Sequence, residues 1–260
     1  MLAALLQATP LAAQRPPHRP AARPAAHRRK ALPTPASVLG FEPGTERRLV
    51  DWEPIVRYFR LLGSASDRVQ VRELGRTTNG AAFIAAFISS PANLARLSAL
   101  RDIQRRLADP RLDRDSATTR SLLRRGKVFV LITSSIHSTE VGGFFSPLDI
   151  AYRLAADTSA AIRNVLDNTV VILVPSLNPD GVTIVSRWYA QTLGTSAEGT
   201  SPPELYHHYA GHDNNRDWYA FTRPRLASWW TACTANGTRK SPSTSISRAA
   251  TARGSSCLRT

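Results

Sequence analysis

The run Val170-Val171-Ile172-Leu173-Val174 constrains this chain more than any other stretch. It is uninterrupted, rich in β-branched residues and stopped by Pro175, which is the pattern of a strand buried on both faces. A strand with no polar face needs helices above and below it, so the run points to α/β layering. A second apolar run, Val128-Phe129-Val130-Leu131-Ile132, reads as another strand. We expect both strands to be central in the sheet and adjacent to the site.

Helical spacing surrounds them. Glu46–Leu62 places Leu49, Trp52, Ile55, Val56, Phe59 and Leu62 on one stripe. Asn93–Leu107, Ser116–Arg125, Gly143–Ala156 and Ala160–Asp167 read as further helices. Val69–Val71 and Ala82–Ile88 read as strands joined through Thr77-Thr78-Asn79-Gly80, a hairpin turn by composition. Asn178-Pro179-Asp180-Gly181 carries turn chemistry directly after the Val170 strand.

Charge narrows the partners. The chain carries +15 in 260 residues, which at first suggests a nucleic-acid binder. Residues 1–41 hold six basic side chains and no acid, however, and residues 225–260 hold six more, again with no acid. What remains is 22 basic against 19 acidic residues, so the body of the chain is nearly balanced and no nucleic-acid partner is expected. Both cysteines, Cys233 and Cys257, lie in the basic C-terminal stretch, leaving the body without a disulfide framework. Nothing in the composition specifies an oligomeric state.

Residues 1–14 are apolar and end at Ala12-Ala13-Gln14, which predicts a signal peptide and a secreted or periplasmic protein, although no basic residue precedes the apolar part. Residues 15–38 are rich in Pro, Ala and Arg and read as a disordered leader. No later stretch has the roughly 18 apolar residues that a transmembrane helix needs.

The chemistry-bearing stretch is His137-Ser138-Thr139-Glu140-Val141-Gly142-Gly143, set where the Val128 strand gives way to a helix. Open α/β sheets place their sites at such strand ends. An imidazole and a carboxylate three residues apart can turn to one side and supply two protein ligands of a zinc ion. Alone the spacing is weak, since a glutamate in a first helical turn is also favoured by the helix dipole. A second polar cluster, Gly211-His212-Asp213-Asn214-Asn215-Arg216-Asp217-Trp218, reads either as a solvated loop or as a pocket floor where Asn and Arg donate to a carboxylate.

HSTEVGG after one strand, NPDG after the next and HDNNRDW further on resemble, in that order, the zinc carboxypeptidase family of carboxypeptidase A-like metallopeptidases, especially its secreted bacterial members. The likeness runs from about Leu39 to Pro224. It implies a three-layer α/β/α fold with a central mixed sheet, incomplete here at the C-terminus. It also implies a zinc metallopeptidase that removes the C-terminal residue of a peptide or protein with a free C-terminus, through one Zn2+ ion. His137 and Glu140 match its first two metal ligands, and Asn215 and Arg216 match the pair that binds the terminal carboxylate. Arg187 is the candidate for the arginine that polarises the scissile carbonyl. His212 is read as a structural neighbour of the pocket. Two readings stand beside the peptidase: a zinc-dependent deacylase of N-acyl amino acids, and an inactive secreted binder of anionic surfaces held by the basic ends.

The family pattern continues with a third zinc-ligand histidine and later a general-base glutamate, but this chain has no His after His212 and no Glu after Glu204. Residues 225–260 instead hold 13 Ser or Thr, no acid and no regular apolar period. The genetic code offers an explanation. When the last base of each codon is joined to the first two of the next, Ala235–Lys240 permits Glu, Trp, His or Tyr, Pro and Gln. The junction of Ser245 and Ile246 then permits His followed by Gln. Relatives carry similar residues there, so the stretch reads as an out-of-frame tail created by one deleted base near the Pro224 codon. Residues 39–224 are then a partial catalytic domain, short of its third ligand and its base.

Overall fold

A computed structural model describes residues 31–109, 111–112, 115–204 and 213–216. Residues 1–14, where a signal peptide is expected, most of the basic leader, His212 and residues 225–260 lie outside the described residues.

The sheet has four described strands, β1 (Val69–Arg76), β2 (Ala82–Ile88), β3 (Val128–Thr133) and β4 (Thr169–Val174), in the order β1-β2-β4-β3. β1 and β2 form an antiparallel hairpin, turned at Gly80 with its φ of 82°. β2 runs antiparallel to β4, and β4 runs parallel to β3, so the sheet is mixed.

Its two faces can be read off β2 residue by residue. Ala82, Ile84, Ala86 and Ile88 join one hydrophobic cluster, while Phe83, Ala85 and Phe87 join the other, as period-two geometry requires. The first cluster holds Trp52, Ile55 and Phe59 from α2 (Trp52–Ala65), Phe144 and Leu148 from α6 (Gly142–Ala156), and Leu166 from α7 (Ala160–Asn168). Across the sheet lie Leu97, Leu100 and Ile103 from α4 (Leu97–Ala108) and Leu122 from α5 (Ser116–Arg125). β4 is buried from Val170 to Val174, the residues whose composition demanded cover on both sides. The result is the expected α/β/α layering around a mixed sheet.

Four local expectations are corrected. The first helix begins at Trp52 and not at Glu46. Pro54 has no N–H to donate to a preceding turn, so it is tolerated only in a first turn, and Asp51 occupies the N-cap with extended dihedrals. The Asn93–Leu107 stretch is two helices, α3 (Pro91–Ala95) and α4, broken at Arg96, whose φ of −115° leaves the helical region. The leader is folded from residue 31 onward. α1 (Pro35–Leu39) is capped by Thr34, carries Pro at its start, and sets Val38 and Leu39 against the first core cluster. β3, finally, is an edge strand among the described residues and not a central one, leaving Val128 and Val130 exposed.

NPDG is a helix start and not a free turn. Asn178 caps α8 (Pro179–Thr192), its side-chain oxygen accepting from the N–H of Gly181, and Pro179 fills the first helical position, where no N–H is missed.

Candidate metal and carboxylate site

β3 ends at Thr133, and the next residues form a tight loop into α6. Ser135 adopts φ 51°, a left-handed conformation that costs a residue with a Cβ of order 1 kcal/mol. The loop is tied to the segment after β4 by Ser134 N–H to the Val174 carbonyl (3.2 Å) and Leu177 N–H to the Ser134 carbonyl (2.9 Å). Side chains add two further links, the hydroxyl of Ser176 to the Ser135 carbonyl and that of Ser138 to the Asn178 carbonyl, both 3.1 Å. The HSTE and NPDG motifs are therefore joined at the ends of two adjacent parallel strands.

His137 stands at the head of this loop between two carboxylates. Its Nε2 lies 2.9 Å from Oδ2 and 3.0 Å from Oδ1 of Asp213, and its Nδ1 lies 3.4 Å from Oε1 of Glu140. Asp213 leads into a short 3-10 turn, Asn214–Arg216, and its carboxylate also accepts the N–H of Asn215 at 2.7 Å. Burial pushes the Asp213 carboxyl up, but the Asn215 N–H, His137 and Arg216 together outweigh it and hold the group below its ordinary range. An ionised carboxylate only accepts, so Nε2 of His137 is the donor to Asp213, and Nδ1 is the nitrogen left facing Glu140.

Two electron-pair donors facing each other suit a shared cation. A tetrahedral zinc ion with bonds of roughly 2.0–2.1 Å separates its ligand atoms by roughly 3.3–3.4 Å. The observed Nδ1–Oε1 distance of 3.4 Å agrees. Glu140 is largely exposed and His137 half-buried, so the pair opens to solvent on one side. The two residues thus fit a zinc ion as two of its protein ligands. Among the described residues no set of three such donors converges.

Asn215 and Arg216 sit on the turn that holds Asp213, the backbone N–H of Arg216 donating to the Asp213 carbonyl at 2.8 Å. Asn215 and Arg216, expected to receive a terminal carboxylate, are thereby brought to the His137 loop. Arg187 is not. It lies on α8 and pairs through Nε with Oδ2 of Asp51 at 3.0 Å, on the surface. A cleft of about 950 Å³ borders the site at Thr139, Val141 and Gly142 and extends toward Phe145, Trp188 and Tyr189.

Sequence reasoning passed over Asp213, which orients the histidine, and Asn214, which is buried with neither side-chain atom paired among the described residues. Asp213 could have been found from its place two residues before Asn215, since histidine ligands of metals almost always give their second nitrogen to a carboxylate, a carbonyl or water. Asn214 sent no such signal.

A family model described as zinc carboxypeptidase matches residues 55–253. That match continues through most of the stretch beyond Pro224. Among solved structures, the chain is similar to a carboxypeptidase A from Helicoverpa armigera (18% identity, TM-score 0.38), covering 68% of this chain and 36% of that one. It is also similar to a putative carboxypeptidase from Burkholderia mallei (18%, TM-score 0.43; 69% and 35% covered). A metallo-carboxypeptidase from Burkholderia cenocepacia is a third (19%, TM-score 0.43; 69% and 37% covered). The chain thus spans little more than a third of the length of these three proteins. No curated protein matches it. With the family model covering well over half of its residues, this chain belongs to the zinc carboxypeptidase family of metallopeptidases.

Proposed function

We propose that the chain derives from a secreted zinc metallocarboxypeptidase that removes the C-terminal residue of peptides. A shift of reading frame near Pro224 leaves it without a third zinc-ligand histidine and a general-base glutamate. The observation that carries the reading is the bond between His137 and Asp213, which draws the metal-ligand motif and the Asn215–Arg216 pair into one site.

His137 and Glu140 hold the zinc ion in this proposal. When bound, zinc polarises a carbonyl and lowers the pKa of a water. Asp213 keeps the imidazole proton on Nε2 and so keeps Nδ1 available as a ligand. Asn215 and Arg216 receive the terminal carboxylate through charge-assisted hydrogen bonds, and an arginine fork suits two carboxylate oxygens. Arg187 is proposed for the oxyanion on its order in the chain, between NPDG and NNR. Its bond to Asp51 is exposed and worth at most about 1 kcal/mol, so leaving it costs little. The cleft beside Thr139 gives a peptide a path to this loop. No helix among the described residues is long and apolar enough to cross a membrane.

The test uses the frame-restored protein, made by inserting one base after the Pro224 codon. It is expected to release C-terminal residues from peptides and to leave their C-terminal amides intact, a preference lost in Arg216→Ala. Equal cleavage of amides, or turnover confined to N-acyl amino acids, contradicts the carboxypeptidase reading, the latter in favour of a deacylase.

A further inference from the structure

Gly181 stands in the first turn of α8, and no left-handed backbone calls for a glycine there. Among residues other than proline, glycine is the poorest helix former. What it supplies is room. A Cβ at this position would lie 2.5 Å from Nδ2 of Asn178 and 2.5 Å from Oγ of Ser138, both far inside contact distance.

Ser138 follows His137 directly and is fully buried. Its hydroxyl donates to the Asn178 carbonyl, which also accepts the N–H of Val182 at 3.1 Å. The helix start cannot easily back away. Asp180 is buried and accepts from the Thr77 hydroxyl at 2.5 Å and the Asn79 N–H at 3.3 Å, anchoring α8 to the β1–β2 turn. On the other side, a Cβ on Gly143 would stand 3.4 Å from the backbone of Ser135, so α6 comes within contact distance of the loop. An atom added at 181 therefore collides with the Ser138 hydroxyl and the Asn178 amide, so that the hydroxyl must leave the Asn178 carbonyl or the helix start must shift.

We propose that Gly181 and Ser138 are positioning residues for His137: the bare backbone of Gly181 lets the Ser138 hydroxyl seat on the Asn178 carbonyl, and this seat sets where the imidazole meets Asp213 and Glu140. Its functional meaning rests on reading His137 as a zinc ligand, but the placement of the ring does not.

The test is imidazole nitrogen NMR on the 15N-labelled 260-residue chain, with His137→Ala assigning the signals. In the parent, the Nε2–H signal of His137 is expected to be held by Asp213. Gly181→Ala should shift or abolish it, and should raise the half-saturating concentration of Zn2+, added as the metal alone, about 10-fold or more, the scale of outer-shell losses. Ser138→Ala removes the hydroxyl without adding bulk and should shift the same signals, so it decides the matter if Gly181→Ala fails to fold. Parental imidazole shifts in Ser138→Ala, and in Gly181→Ala if that variant folds, even with lowered thermal stability, would reduce both residues to ordinary packing and overturn the proposal. Shifts that move as expected while Zn2+ leaves the ring of the parent unperturbed would support the positioning role and refute the metal reading instead.

Discussion

Nε2 of His137 lies 2.9 Å from the carboxylate of Asp213, although 76 positions separate the two residues in the chain. That contact sets the orientation of the ring and aims Nδ1 at Glu140. Asp213→Ala frees the ring to rotate and removes the acceptor for the Asn215 N–H as well. Zinc affinity is expected to fall 10- to 100-fold, measured by competition with a chromophoric chelator. Unchanged affinity would mean that Asp213 does not orient a ligand.

Phe59 is fully buried in the cluster formed by α2, α6 and one face of β2. Phe59→Ala should destabilise the domain by about 3–5 kcal/mol through lost transfer energy and an unfilled cavity. Urea denaturation should show a lower midpoint at unchanged slope. A loss under about 1 kcal/mol would mean that this layer is not packed as described.

Asp115 caps α5, its carboxylate accepting from the N–H groups of Ala117 and Thr118. The Thr118 contact, followed by that of Ala117, holds the carboxyl below its ordinary value of 3.8. A depressed carboxyl contributes stability that is present above the unfolded value and is lost as pH falls through the folded one. Amide exchange in the first turn of α5 should therefore accelerate, beyond its intrinsic pH dependence, below about pH 4. In Asp115→Ala the turn should exchange faster at neutral pH, and the acid-linked component should vanish. Its survival in the variant would assign the effect to another group.

The layering was legible because β4 has no polar residue between Val170 and Val174, and a strand like that allows few architectures. The His137–Glu140 pair was legible from spacing and its strand-end location. Asp213 was missed because its partner is distant in sequence, and a lone aspartate in a polar loop has no period to betray it. The start of α2 was misplaced because apolar spacing extends back to Leu49, while the constraint that sets the boundary belongs to Pro54. NPDG carries the residues of a turn, and only the helix that follows makes Asn178 a cap.

The most direct test of the account is chelator-sensitive release of a C-terminal amino acid, measured side by side for the 260-residue chain and for the frame-restored protein. General-base catalysis contributes about 10²–10⁴-fold, so under the proposed loss of the base and of one metal ligand the 260-residue chain is expected to show no measurable release. Restoring the frame should produce activity that the chelator abolishes, that added Zn2+ recovers, and that His137→Ala eliminates. Robust chelator-sensitive release by the 260-residue chain itself would contradict the account, because it would require a third ligand and a base that the account holds to be missing.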